Sequence, residues 1–450
     1  MRLPFVRLLL LACGLAGAPF CSGLDNGASP TPYLGWSSWN AFGDISTHDP
    51  PIGAAALLEI ADTIVSSGLR DAGYVNFNVD AGWAHDGHFF GRGSNGTLVP
   101  NPRLFPDGMK AFCDALHSRG LKCGLYTGYG PMVCGFMNGS WGYEEVDATT
   151  FASWGVDLLK NDWCYNNGGA IEDAAPAAFS KMRDALNRTG RQIIYAIHGK
   201  GGPGTAWPTY YEDSPVIANS WRMGGDIEQP MKPSWTKILG LIDSETADNT
   251  TAGVSGPNAW NDLDMMVVGQ GLSPTEDRAQ ISQWAMMASP MIIGTDLRNA
   301  RLATARLIAD LSHPGILAIS QDALGRQATL VPSRYPPTPP PPQRPGAVDG
   351  RLQSDLEAKR QQPPSPPPVS PLQVWHRPLS NGDVAVSLLN RGDKPANISF
   401  GFAEVGIEAS SQVEVKNIWA GGSAVTVDAS KRFEFEVISH SAEVFRLKGL

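Results

Sequence analysis

The sequence predicts a (β/α)8 barrel followed by a C-terminal antiparallel β-sandwich. Eight short apolar runs alternate with helical segments through the first two-thirds of the chain. A Pro-rich stretch then interrupts the pattern, and the last eighty or so residues alternate polar and apolar between turns, as antiparallel strands do. Length agrees: 450 residues, 42% of them hydrophobic, exceed one small core and suit one large domain with a smaller one.

The eight strand-like runs are "YLGWSSW", "YVNFNVD", "KCGLYTGY", "VDLLKND", "QIIYAIH", "VIANSWR", "WNDLDMMVVG" and "PMIIGTDL". Between them lie amphipathic segments such as "GAAALLEIADTIVSSGLRDAG", in which Leu57, Ile60, Ala61 and Ile64 share one helical face. Several of these helices stop at Gly, as a C-terminal cap requires. A doubly wound open sheet is the structural alternative, disfavoured because no Gly-rich phosphate turn follows the first run. The barrel is expected over 29–328 and the sandwich over 372–450. Between them 331–371 is Pro-rich and expected to be extended and solvated, with "RLQSDLEAKRQQ" as a marginal helix inside it.

Residues 1–23 have the form of a secretory signal: Arg2 and Arg7, then "LLLLACGLAGA", with cleavage expected between Ala18 and Gly23. No later segment is apolar over the length a membrane helix needs, so a soluble secreted or vacuolar/lysosomal protein is expected. Sequons at Asn95, Asn138, Asn187, Asn249 and Asn397 fit that route. A net charge of −9 without a long basic run excludes nucleic acid and anionic membranes as natural partners. Four Cys remain beyond the signal, namely Cys113, Cys123, Cys134 and Cys164, and they allow three pairings. Cys113 and Cys123 are read as buried thiols.

In a parallel barrel, functional side chains collect at the carboxyl ends of the strands. Here those ends carry Trp36, Asp80, Tyr126, Lys160, Asp162, His198, Arg222, Asp226 and Asp264. No His/Cys set has zinc spacing, and no G-x-S-x-G elbow or Walker loop occurs, so neither a metal nor a cofactor is expected. Paired carboxylates remain, and acetal cleavage is chemistry that needs two: one protonates the departing oxygen, the other attacks or stabilises the electron-poor carbon. Asp162 beside Lys160 suits the ionised partner, because a nearby ammonium lowers a carboxyl pKa. Asp226 follows "WRMGG", whose glycines let it project from a loop. Any single Asp among these could be a cap or a surface ion pair; several at successive strand ends are harder to explain that way. Thirteen Trp are compatible with stacking on sugar rings and with ordinary core packing. Trp163 alternates away from Asp162 and is read as packing.

The ordered motifs "YLGWSSWNAFG", "AGYVNFNVDAGW", "FPDGMKAFCDALHSRGLKCGLYTGYG", "WGVDLLKNDWC", "ALNRTGRQIIY", "SWRMGGDI", "GPNAWNDLDMMVVG" and "WAMMASPMIIGTDLR" resemble those of the α-galactosidase/α-N-acetylgalactosaminidase family, glycoside hydrolase family 27. "ISQDALGRQ" resembles the exit from that family's barrel, and the C-terminal strands resemble its β-sandwich. The resemblance implies a retaining exo-glycosidase acting on terminal α-D-galactosyl groups of an oligosaccharide or glycoconjugate, with Asp162 as nucleophile and Asp226 as acid/base. It further implies that Lys160, Arg222, Trp36, Asp80, Tyr126, His198 and Asp264 bind the sugar. Cys134–Cys164 is implied as a disulfide bracing the nucleophile strand. On this reading the partner of Lys160 and Asp162 is Asp226, and a homodimer is admitted.

Three departures bear on specificity. Where the family has Asp-Asp-Cys-Trp this chain has "DAGW", so Ala81 stands for the second aspartate and Gly82 for the cysteine. The cysteine's usual partner is absent from "NAFGDIS" as well. Ala81 removes a charged acceptor near the O4/O6 edge of the sugar, of a kind that contributes about 1.5–3 kcal/mol. His198 replaces a glutamate and puts bulk where an N-acetyl group at C2 would sit. A β-L-arabinopyranosidase, a transglycosylase and a non-catalytic sugar-binding relative are the alternatives, the last disfavoured because a lectin has no need of both Asp162 and Asp226.

Overall fold

The computed structural model describes residues 24–84, 91–134, 137–164, 175–198, 214–227, 234–244, 253–332, 369–408 and 412–450. The expected signal (1–23), the sequon at Asn249 and nearly all of the Pro-rich stretch (333–368) lie outside them.

The eight runs form eight parallel strands: β1 (Leu34–Ser37), β2 (Tyr74–Val79), β3 (Lys122–Gly128), β4 (Val156–Asp162), β5 (Ile194–His198), β6 (Ser220–Arg222), β7 (Trp260–Asp262) and β8 (Met291–Ile293). They pair in the order β7-β6-β5-β4-β3-β2-β1-β8. The remaining seam is closed just beyond β7, where Met266 bridges Ile293 in parallel and exchanges hydrogen bonds with Ile292 O and the Gly294 N–H. That closure removes the open-sheet alternative. Helices Ala54–Ser66, Gly108–Ser118, Glu144–Trp154, Ala175–Arg188, Trp235–Ser244 and Pro274–Met286 return between strands. The predicted face Leu57, Ile60, Ala61 and Ile64 is the buried one.

Alternation along each strand sorts residues between two environments. In β4, Leu158 and Lys160 line the barrel axis, while Leu159 packs outward into the main core shared with the helices. The same parity puts Asp162 on the inner side at the carboxyl end.

After the barrel come β9 (Thr329–Leu330), β10 (Leu372–Pro378), β11 (Val384–Asn390), β12 (Ala396–Phe400), β13 (Gln412–Asn417), β14 (Val425–Asp428), β15 (Phe433–Val437) and β16 (Ser441–Gly449). Six form one antiparallel sheet, and β12 pairs with β15 to make the second layer. The β11 strand is buried along its whole length because both of its faces are covered. Val386 and Leu388 face the sandwich core with Ile398, Phe400 and Val437, whereas Ala385 and Leu389 belong to the barrel's core. Helix Pro274–Met286 lies between the two domains, which explains why its polar Gln280 and Gln283 are buried. It starts at a capping box in which Ser273 and Glu276 satisfy each other's backbone N–H. An Arg391–Asp243 pair, bonded at 2.6 and 2.7 Å, also ties the domains together.

Cys113 and Cys123 correct the thiol expectation: they are joined as a disulfide. The helix carrying Cys113 folds back on β3 through a three-residue turn, so the Cα atoms lie 5.2 Å apart, inside bridging range. Cys134–Cys164 is bonded as the resemblance implied. Asn95, Asn187 and Asn397 are exposed and Asn138 is half-buried. Among the described residues no helix is long and apolar enough to cross a membrane.

Gly82 explains how the chain manages without the family's bridge there. Its φ is +97°, and a Cβ on it would lie 2.2 Å from Asp44 Oδ1 and 2.8 Å from Ser46 N. The Asp44–Ser46 turn therefore packs directly on the glycine. A G82A variant should lose at least about 2 kcal/mol, from forced overpacking and left-handed backbone strain. Its urea midpoint measures this, and a loss below about 0.5 kcal/mol would mean the turn moves aside freely.

Candidate active site

The nine candidate residues meet at the carboxyl end of the barrel. Strand register accounts for the central group: Tyr126 pairs with Lys160, Gly128 with Asp162, and Asp162 with His198. Equal register and equal parity put the β3, β4 and β5 side chains side by side.

Both oxygens of the Asp162 carboxylate are bonded. Its Oδ2 accepts from the Tyr126 hydroxyl at 2.7 Å, and its Oδ1 accepts from the Trp163 N–H at 2.7 Å. His198 Nδ1 stands 3.3 Å from Oδ1, off the line of a well-directed hydrogen bond. Burial pushes this carboxyl upward, but His198, Lys160 and Tyr126 outweigh burial and hold it well below the usual carboxylate range. It is therefore ionised throughout the neutral and mildly acid range.

Lys160 corrects the expected pairing. Its ammonium bonds Asp80 Oδ2 at 2.8 Å, reaching from β4 across β3 to the end of β2, rather than Asp226. Asp80 also accepts from the Ala81 N–H at 2.9 Å. Burial works against the ammonium, but Asp80, Asp162 and Asp226 outweigh it and raise its pKa.

Arg222 is the hub of the opposite side. Its Nη2 lies 2.8 Å from Asp264 Oδ2 and 3.3 Å from Asp226 Oδ1, and it donates to Gly225 O at 2.9 Å. Asp264 in turn accepts from the N–H groups of Ile227 and Met265, at 2.7 and 2.8 Å, so it anchors the residue that follows Asp226. Asp264 has φ +78°, a left-handed conformation that a non-glycine residue holds only when its surroundings enforce it. The Asp226 side chain is 43% exposed, against 11% for Asp162. Burial raises the Asp226 carboxyl, but Arg222, His198 and Lys160 outweigh it and lower its pKa.

His198 faces both acids, with Nδ1 3.3 Å from Asp162 Oδ1 and Nε2 3.8 Å from Asp226 Oδ1.

Below this cluster a cavity runs into the barrel, with Lys160, His198, Arg222 and Asp264 on its wall. Trp36 lines its wall, with Nε1 donating to Thr295 O at 2.8 Å and its ring 4.6 Å from Phe77. Trp163 is turned away from it and packs on Tyr129 and Phe179, as alternation predicted. The polar lining residues that sequence reasoning missed are Tyr33, Ser37, Asn76, Asn78 and Asp262. The two asparagines alternate with Phe77 and Val79 in "NFNV", which is the signal for polar groups facing a barrel interior. Asn76 Oδ1, Asn78 Oδ1 and two N–H groups of Arg222 are buried without a protein partner, so this wall has both acceptors and donors for a hydroxylated ligand. Cys134, Cys164 and Asp162 come within 4.8 Å of one another, but the two sulfurs are bonded together, so neither is a thiolate ligand.

Residues 31–322 match the family model described as alpha galactosidase A, and 369–447 match the alpha galactosidase C-terminal beta sandwich domain. Alpha-galactosidase 3 of Arabidopsis thaliana is 36% identical over 428 residues, covering 94% of this chain and 83% of the relative. The solved α-galactosidase of Saccharomyces cerevisiae is 27% identical at a TM-score of 0.77, covering 96% and 100%. A β-L-arabinopyranosidase from Geobacillus stearothermophilus has the same fold, with a TM-score of 0.73 at 18% identity over 95% and 100%. With both of its domains matched, the chain belongs to the α-galactosidase A family.

Proposed function

We propose that this protein is a retaining exo-glycosidase that removes terminal α-D-galactosyl groups. The observation that carries the reading is the placement of two acids of unequal environment, buried Asp162 and half-exposed Asp226, against the two nitrogens of one imidazole at the carboxyl end of the barrel. A pocket leading into the barrel suits a chain end rather than the middle of a polymer.

On this reading, Asp162 attacks the anomeric carbon while Asp226 gives a proton to the departing oxygen. The C–O bond to the aglycone breaks as the bond to Asp162 forms. Asp226 then takes a proton from water, which attacks the same carbon and releases Asp162 as a carboxylate. Tyr126 and the Trp163 N–H hold the nucleophile in place. Lys160, Asp80, Arg222, His198, Asp264, Trp36 and Tyr126 contribute the polar groups and the aromatic wall that receive the sugar. Entry into the secretory route, resting on 1–23, belongs to the same proposal.

One observation favours a second reading, a β-L-arabinopyranosidase. Ala81, fully buried beside Asp80, brings no polar side chain to the edge where a C6 hydroxymethyl would need one. A panel of aryl α-galactoside, β-L-arabinopyranoside, α-N-acetylgalactosaminide and α-glucoside decides. The expected result is highest kcat/KM on the galactoside. Preference for the pentoside moves the assignment to the second reading, and turnover of none supports a non-catalytic relative.

A further inference from the structure

We infer that His198 is the proton relay of this site: its imidazolium holds the proton that Asp226 passes to the leaving group. The inference rests on the assignment of Asp162 and Asp226 above, and it concerns how that pair is charged.

The geometry points first to a doubly protonated ring. Nδ1 lies 3.3 Å from one carboxylate oxygen and Nε2 3.8 Å from another. A neutral imidazole has one N–H and one lone pair, and its lone pair would then face an anion. Neither contact is a directed hydrogen bond, but only the imidazolium turns an N–H edge of positive charge, rather than a lone pair, toward each anion. The charges around it agree. Asp162 and Asp226 flank the ring, Asp80 and Asp264 lie behind them, and Lys160 and Arg222 are already engaged with Asp80 and Asp264. With Asp262 on the cavity wall beside Arg222 and Asp264, five carboxylates surround two fixed cations, and an imidazolium reduces the imbalance.

That arrangement poses a problem for the chemistry and also resolves it. Asp226 must carry a proton when the glycosidic bond breaks, yet Arg222, His198 and Lys160 favour its ionised form. The proton is stored one contact away, on Nε2. When a sugar covers the site and displaces water, a buried imidazolium–carboxylate pair loses solvation, and the neutral pair gains relative to it. The proton then moves from Nε2 to Asp226 Oδ1, leaving neutral His198 and a protonated acid. The gap of 3.8 Å must close for this. Asp226 follows Gly224 and Gly225, which give its loop that freedom, and such contacts shorten in the substrate complex. The same transfer removes a positive charge from beside Asp162, which makes that carboxylate a better nucleophile at the moment it is needed. After water attacks, Asp226 has regained a proton and returns it to Nε2, so none is gained or lost over the cycle.

The test compares wild type with H198Q on two galactosides. One has a sugar or alkyl leaving group that cannot depart unprotonated. The other has a dinitrophenyl group that can. A relay predicts a kcat/KM loss of about 10²-fold or more on the first, exceeding the loss on the second by at least about tenfold. Equal losses on both would mean that His198 only holds the sugar, and no loss would mean that it does neither; each overturns the inference. A second readout needs no activity: the ¹⁵N shifts of the His198 ring in the wild-type protein, assigned by difference from H198Q. They should be those of an imidazolium, with both ring nitrogens protonated, in the resting protein at the pH of the kinetic assay. A neutral ring there overturns the relay even if the glycosidase assignment stands. If wild type cleaves no glycoside, the assignment fails on its own while the ring's charge is still read.

Discussion

D162A should lose activity by on the order of 10⁴-fold or more, and added azide should restore part of it while giving the β-galactosyl azide. Removing the carboxylate opens a small space on the face from which Asp162 would attack, and azide entering there inverts the α-linked carbon. D226A should instead keep fast formation of a glycosyl-enzyme from a dinitrophenyl galactoside, lose about 10²–10⁴-fold on poor leaving groups, and give the α-galactosyl azide. In that variant Asp162 is intact, so azide intercepts the covalent intermediate from the opposite face. The two anomers, read by NMR of the product, assign the two roles independently of rates. The same azide anomer from both variants would remove the double displacement. The pH profile adds a check with a fixed sign. The Asp162 carboxyl is held low by its partners despite burial, so its ionised form favours the folded state above the ordinary carboxylate pKa, and that contribution fades only as pH falls through the lowered value. The acid limb of the wild-type profile above that range therefore belongs to another group.

Why so much of this site was legible is clear from the strands. Residues at period two near the end of a buried run must face either the barrel axis or the helices, so "LLKND" already puts Lys160 and Asp162 on one side. What one strand does not reveal is which side chain meets which. Lys160 bonds Asp80 because a long side chain on β4 reaches over β3, and that depends on register across three strands. The contact of His198 with both acids likewise depends on the Asp162–His198 register and on where the loop after β6 returns Asp226. Neither is written in local spacing. Cys113–Cys123 was missed for a related reason: whether a helix cysteine faces the next strand is set by the turn between them, and burial alone does not distinguish a bridge from two thiols. The barrel seam at Met266 was within reach, because "WNDLDMMVVG" extends past the short β7 to the residue that closes it.

Arg222→Met should destabilise the fold by about 3–5 kcal/mol and cost activity as well, and the two losses should separate in a double variant. The guanidinium is 4% exposed and Asp264 3%, so neither charge is screened by solvent. Removing the cation leaves Asp264 buried with only the Ile227 and Met265 N–H groups to stabilise its charge. Adding D264N deletes the stranded charge, and a large share of the lost stability should return, with a coupling of about 0.5–3 kcal/mol between the sites. Activity should not return with it. Asp264 fixes Ile227 through its Oδ2, and Arg222 fixes Asp226 and Gly225 directly, so the double variant refolds around a proton donor that has lost its position. Urea midpoints and kcat/KM on one aryl galactoside measure the two quantities separately. Recovery of both in step would mean that Arg222 serves only to neutralise Asp264. An R222M variant as stable as wild type would mean that the buried carboxyl simply takes a proton, and that the ion pair does not hold the acid's loop in place.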